Sequence, residues 1–137
     1  MNLGTLTQQL IRHEKLLLKP YKDTVGKFTI GVGRNLDDVG ISEAEAMFML
    51  EADIASVCSD LDRVFPWWRE MSENRQLVLA DMCFNLGINR LQGFKKALAA
   101  MQEGRYADAA TEMLDSKWAK QVGRRSDTLA EMMRTDA

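Results

Sequence analysis

The spacing of apolar residues changes twice along this chain, and each change predicts a change of element. From about Thr5 to Lys15, Leu6, Leu10 and Ile11 recur at helical spacing, with Glu14 next on the same side. Lys19-Pro20 stops any such helix, because proline confines its predecessor to extended backbone. Between Pro20 and Leu36 the texture becomes that of strands. Tyr21, Phe28, Thr29, Ile30 and Val32 are strand formers, while Asp23-Thr24-Val25-Gly26, Gly31 and Gly33 supply turns and close approach. The pattern predicts a small β-hairpin there.

After Gly40 the helical period returns and persists. Ser42-Glu43-Ala44-Glu45 is a capping box, a hydroxyl at the cap and a carboxylate three residues on. Behind it Ala46, Leu50, Ile54, Val57 and Leu61 mark one apolar face running to about Asp62. Pro66 ends that element or opens the next. Ser72 can cap a second apolar helix, Leu77 to Leu86, closed near Gly87. Further helices are predicted at about Leu91–Glu103, Tyr106–Leu114 and Arg125–Met133, with breaks at Gly104 and Gly123. There is no internal repeat, low-complexity tract or long linker. One hairpin among many helices predicts a single α+β domain, predominantly α-helical.

Composition narrows the class more than the function. A chain of 137 residues, 46% of them hydrophobic, can fold as one domain with a packed core and no staples. Nine methionines suit irregular packing between helices. Cys58 and Cys83 lie in helical segments without metal-ligand spacing, so they read as two buried reduced thiols. The run Leu16-Leu17-Leu18 is too short for a signal peptide or an anchor, so the expectation is a protein made and held in a cytoplasm, without stable membrane insertion. Charge is uneven: residues 1–34 carry six basic and two acidic side chains, residues 35–81 three and eleven, residues 82–137 nine and seven. No contiguous basic surface of the kind nucleic acid requires follows from that distribution. The basic ends could attract an anionic polymer such as cell wall, though solvated helix faces explain the same counts.

Chemistry concentrates in His13-Glu14-Lys15 and in the stretch Tyr21 to Arg34. A carboxyl late in an amphipathic helix, its face turned to the core, has its charged form disfavoured, so Glu14 can hold a proton. Asp23 sits on a polar turn, where solvent and backbone N–H groups favour the carboxylate. Two carboxyls in different protonation states are what glycoside hydrolysis needs, one protonating the leaving oxygen and one activating water. Thr29, on the neighbouring strand, offers a hydroxyl to orient that water. Each residue also has a plain reading: a solvated helix Glu, a turn Asp, a strand Thr. His13, the only histidine, points about 100° round the helix from Glu14 and reads as a surface residue. Trp67 and Trp68 read as anchors of lobe packing, and Trp118 as core.

The order Glu, eight residues, Asp-Thr-x-Gly, then Thr-Ile-Gly-x-Gly resembles the catalytic signature of the T4-type phage lysozymes, glycoside hydrolase family 24. The likeness continues through Phe84-Asn85-Leu86-Gly87, Gly93-Phe94, Ala109-Ala110, Ser116-Lys117-Trp118 and Gln121-Val122-Gly123-Arg124-Arg125, almost the whole chain. The resemblance implies a lysozyme-like fold: a small β-hairpin lobe over about 15–41 and a helical lobe over about 63–137 plus the N-terminal helix, joined by a long helix. It makes Glu14 the acid, Asp23 the second carboxylate and Thr29 the water-positioning hydroxyl. It places Arg125 against the catalytic glutamate. Such a cation works against a protonated Glu14, so burial would compensate or the pair would be loose. Tyr21, Asn35, Phe84 and Asn85 are the candidate substrate contacts, Asn85 for an acetamido group. Arg34 stands where many relatives have His, so any His-dependent ion pair is absent or rebuilt. The stretch from Leu36 to Ser42 is short, which implies a smaller β-lobe.

The implied activity is a muramidase, an endolysin hydrolysing the β-1,4 bond between N-acetylmuramic acid and N-acetylglucosamine in peptidoglycan. Inversion, the family's usual outcome, requires roughly 6.5–9.5 Å between the carboxyls. No metal or cofactor is called for. A monomer is expected, resident in the host cytoplasm until a holin opens the membrane at lysis, and then acting on the wall in the periplasm. Two other classes compete. One is a muramidase-like scaffold that binds wall or a partner with little turnover. The other is a helical interaction module, which leaves the hairpin glycines without a reason.

Overall fold

The computed structural model describes residues 1–137 and shows eight α-helices and one three-stranded antiparallel sheet, the α+β arrangement expected. Backbone contacts divide it into two compact units, Met1–Met49 and Leu50–Ala137. The sequence reading assigned the N-terminal helix to the helical lobe; in the structure it belongs to the same unit as the sheet.

In the first unit, helix α1 (Leu3–Glu14) starts where the Asn2 side chain accepts the Thr5 N–H at 2.9 Å. It stops at Lys15, whose φ of 68° ends the helical path before Pro20 is reached. The sheet follows as β1 (Leu17–Lys22), β2 (Phe28–Gly31) and β3 (Arg34–Asn35), in the order β1-β2-β3. The predicted hairpin is therefore corrected to three strands, the first beginning before Pro20. Proline is tolerated because β1 is an edge strand whose register with β2 shifts between Leu17 and Tyr21. A two-residue β3 is too short to leave a period in the sequence.

Helix α2 (Glu43–Val64) opens on the capping box: Ser42 Oγ accepts the Glu45 N–H at 3.1 Å, and Glu45 Oε1 accepts the Ser42 N–H at 2.9 Å. Arg34 grips the same carboxylate with both terminal nitrogens, at 2.9 and 2.8 Å, and donates to the Gly40 carbonyl at 3.2 Å. Arg34 thus ties β3 to the start of α2. That pairing holds the Glu45 carboxyl far below its ordinary range, to about 2, with the Ser42 N–H and hydroxyl reinforcing it. The predicted apolar face of α2 buries only toward its end. Leu61 is buried and Val57 half-buried, while Leu50 and Ile54 stay exposed.

The second unit holds the core. A 3-10 helix (Pro66–Glu70) takes Pro66 at its first turn, and its Trp68 is buried with the indole N–H on Asp62 at 2.7 Å. Helix α3 (Glu73–Leu86) is capped by Ser72 and closed at Gly87, φ 81°, as predicted. The single helix expected over Leu91–Glu103 is instead α4 (Ile88–Leu91) and α5 (Lys95–Gln102). The Gly93 and Phe94 N–H groups turn back to Arg90 and Leu91 carbonyls at 3.1 and 3.0 Å and break the run. Helices α6 (Tyr106–Leu114), α7 (Lys117–Val122) and α8 (Arg124–Thr135) complete the unit, and α8 packs on α6 and α3. Helix α7 was not expected as a separate element; its signal is Ser116, which caps it through the Ala119 N–H at 3.1 Å. Met82, Met101, Met113 and Met133 lie fully inside this core with Leu79 and Leu91. Cys83 is buried, which pushes its thiol up, but Cys58 is only half-buried, a correction to the expected pair of buried thiols.

Candidate active site

Glu14 is the last residue of α1, at the point where the chain must leave the helix. The turn from β2 into β3 brings Gly33 against it. A β-carbon at Gly33 would stand 2.7 Å from Glu14 Oε2 and 3.0 Å from its carboxyl carbon, and φ there is 68°. Only glycine supplies both the backbone conformation and the room. The sequence reading anticipated Glu14 turned toward the core; the structure instead leaves it exposed, braced on glycine backbone. His13 is exposed, the surface position expected of it.

Asp23 begins the turn between β1 and β2. Its Oδ1 accepts two backbone N–H groups, from Val25 at 3.0 Å and Lys27 at 2.8 Å, while Oδ2 has no partner within the protein. The Asp23 N–H donates in return to the Lys27 carbonyl at 2.9 Å. That carbonyl also accepts the Thr29 hydroxyl at 3.0 Å. One residue's backbone therefore ties down both the carboxylate and the hydroxyl. Thr29 is 3% exposed, the only buried residue of the first unit, so only a small molecule can reach it. Its hydrogen being committed to Lys27, the Oγ1 lone pairs face any such molecule as acceptors.

The other candidates divide between the units. Tyr21 sits opposite Thr29 in the β1–β2 register, so the two side chains share a face of the sheet. Asn35 pairs with Thr29 across β2–β3, but both ends of its amide are engaged locally. Its Oδ1 accepts the Asp38 N–H at 2.9 Å and its Nδ2 donates to Asp38 at 3.1 Å, so its first task is to shape the turn. In the second unit Asn85 Oδ1 accepts the indole N–H of buried Trp118 at 2.7 Å, which fixes the amide and leaves its N–H donors unpartnered. Phe84 is half exposed and lines an apolar groove with Leu77, Ala80 and Arg125. The Arg125 guanidinium pairs with Asp81, at 2.8 Å through Nε and 2.7 Å through a terminal nitrogen. Trp67 and Trp68 pack into the second unit's own core.

Sequence reasoning missed the Lys27 backbone as the common anchor, because a peptide group carries no side-chain signature. It flagged the glycines for close approach without naming Glu14 as what approaches. Glu14 at a helix end, Asp23 held by two N–H groups and Thr29 on the same anchor all lie in the first unit of an α+β lysozyme-like fold. The phage lysozyme family matches residues 11–135, and the chain belongs to it. It is similar to Probable T4-type lysozyme 2 of Dictyostelium discoideum, 26% identical over 162 residues that cover 97% of this chain and 95% of that protein. It is 30% identical to the SAR-endolysin of Escherichia phage Mu over 121 residues, 85% of this chain and 67% of the relative. The pre-baseplate central spike protein Gp5 of Enterobacteria phage T4 shares 27% identity over 96% of this chain, which corresponds to 28% of that longer protein. The chain is thus a lysozyme, a glycoside hydrolase whose substrate is peptidoglycan.

Proposed function

We propose that Glu14 protonates the glycosidic oxygen between N-acetylmuramic acid and N-acetylglucosamine while Asp23 and Thr29 deliver water to the opposite face, with inversion. The observation that carries this reading is the free Oδ2 of an Asp23 whose Oδ1 is already fixed by two N–H groups. A water can give one hydrogen to that oxygen and the other to Thr29 Oγ1, whose own hydrogen is on Lys27. Its lone pair is then directed at the sugar carbon. Tyr21, Asn35, Phe84 and Asn85 are proposed as substrate contacts, with Asn85 donating from the amide that Trp118 holds. The supporting role of Arg125 rests on the motif match alone; its guanidinium pairs with Asp81.

In this reading the protein is a monomeric endolysin that lyses a bacterial host, stays in the cytoplasm until a holin opens the membrane, and needs no cofactor. No helix is long and apolar enough to cross a membrane by itself. The test is clearing of a peptidoglycan suspension by wild type and by Glu14→Gln. Wild type clears, and the variant, which cannot protonate the leaving oxygen, is slower by about a hundredfold or more. Binding to the wall without clearing would replace the enzyme with a wall-binding scaffold. A β product from the β-linked glycan would refute inversion.

A further inference from the structure

The Lys27–Phe28 peptide is held at both ends. Its carbonyl accepts the Asp23 N–H at 2.9 Å and the Thr29 hydroxyl at 3.0 Å. Its N–H, the amide of Phe28, donates to Asp37 Oδ2 at 2.8 Å. A trans peptide is a rigid plane with N–H and C=O pointing opposite ways, so fixing the N–H end fixes where the carbonyl points. A carboxylate on the N–H also polarises the amide, which makes its carbonyl a stronger acceptor for the groups on the other side. The segment that carries Asp37 is itself anchored. The Leu36 N–H donates to the Phe28 carbonyl at 2.7 Å, and the Asn35–Asp38 pair closes the turn around it.

We propose that Asp37 is a positioning residue of the hydrolytic site: through the Phe28 N–H it sets the peptide plane whose carbonyl holds the Thr29 hydroxyl and the Asp23 backbone N–H, and so the hydroxyl and the residue that carries the carboxylate, in working geometry. The inference rests on the roles given to Asp23 and Thr29 above. Asp37 touches neither side chain and acts through the peptide alone. Solvent reaches this bond, so water satisfies the Phe28 N–H when the carboxylate is removed. Water does not tether it to the 36–38 turn. The loss is therefore one of position, which falls on the chemical step, and not one of an unpaired donor, which would fall on stability.

The test measures kcat and KM on soluble, uncross-linked peptidoglycan chains for wild type, Asp37→Ala, Asp37→Asn and Asp38→Ala. Temperatures are kept well below each variant's melting point, with far-UV circular dichroism as the check of folding. Asp37→Ala is expected to lower kcat about tenfold with KM within about twofold, the signature of an interaction that matters only in the transition state. Asp37→Asn, which keeps an acceptor oxygen at the same place, is expected within about threefold of wild type. Asp38→Ala removes the exposed Lys27 ion pair of 3.2 Å and the acceptor of Asn35 Nδ2, but keeps the Asp38 N–H on Asn35 Oδ1 that closes the turn and keeps the Phe28 anchor, and is expected to change kcat by less than about twofold. A folded Asp37→Ala with undiminished kcat overturns the inference, and so does an Asp37→Asn as impaired as Asp37→Ala. A wild type inactive on this substrate would sink the muramidase reading itself, which separates the two failures.

Discussion

At the scale of single residues, the site is built by what backbone can approach. Glu14 is exposed, so its carboxyl is positioned by contact with Gly33 and not by an enclosing pocket. Any side chain at Gly33 pushes into that carboxyl, and its positive φ makes an L-residue strained as well. Gly33→Ala is therefore expected to lower stability by about 1–2 kcal/mol from backbone strain. Activity should fall by more than that strain explains, by about a hundredfold, because in the proposed mechanism the displaced carboxyl no longer meets the glycosidic oxygen. Thermal melting and kcat, measured on the same preparation, check this. A variant that melts several degrees lower but turns over normally would show that Gly33 serves the turn alone. Of the proposed site, the spacing of Glu14, Asp23 and Thr29 is legible in the sequence, because it is fixed by the lengths of one helix end and one hairpin. The exposure of Glu14 was not, because an amphipathic pattern states which face is apolar and not whether anything covers it.

At the scale of elements, local chemistry was read well wherever one residue suffices to make a boundary. Ser42, Ser72 and Gly87 each satisfy or release backbone groups within a turn of their own position, so their roles do not depend on the rest of the fold. The failures came where an element depends on distant partners or on too few residues. The two residues of β3 exist because they pair with β2, and α7 is six residues long. The break between α4 and α5 depends on a turn that one glycine alone does not announce. The Arg34–Glu45 pair was likewise invisible, since eleven residues separate the partners and the helix start brings them together. It has a measurable consequence. Because the Glu45 carboxyl is held down to about 2 in the folded protein against 4.5 for the free group, its stabilisation is present above about pH 4.5 and is lost as pH falls toward 2. Asp62 and Glu131, held down chiefly by hydrogen bonds from Arg69 and Arg134, act in the same direction. Glu45→Gln should therefore melt closer to wild type at pH 2 than at pH 6, so that its melting temperature falls less on acidification. A variant whose melting curve shifts by the same amount at every pH would mean that the ion pair is not a source of acid sensitivity.

At the scale of the whole molecule, the residues proposed for catalysis and the residues of the core are partitioned. Every buried apolar residue, from Leu61 to Met133, lies in the second unit, while Glu14, Asp23 and Thr29 all lie in the first. The first unit keeps only Thr29 buried and is held by its ladder hydrogen bonds, the capping box and the Arg34–Glu45 pair. Few buried contacts and many solvent-reachable hydrogen bonds are the conditions for local opening below the global unfolding free energy. Native-state hydrogen exchange should then show the amides of Thr29, Ile30 and Asn35 exchanging at least about tenfold faster, after correction for intrinsic rates, than those of Leu79, Met82 and Leu129. A core truncation sharpens the test. Met82→Ala removes a fully buried side chain and should reduce protection in α3 and α8 by about 2–5 kcal/mol. The sheet amides, which open without the core, should exchange at nearly unchanged rates. If the sheet and α3 instead lose protection together and by the same amount, the chain unfolds as one cooperative block, and the residues proposed for catalysis draw on the same stability as its core.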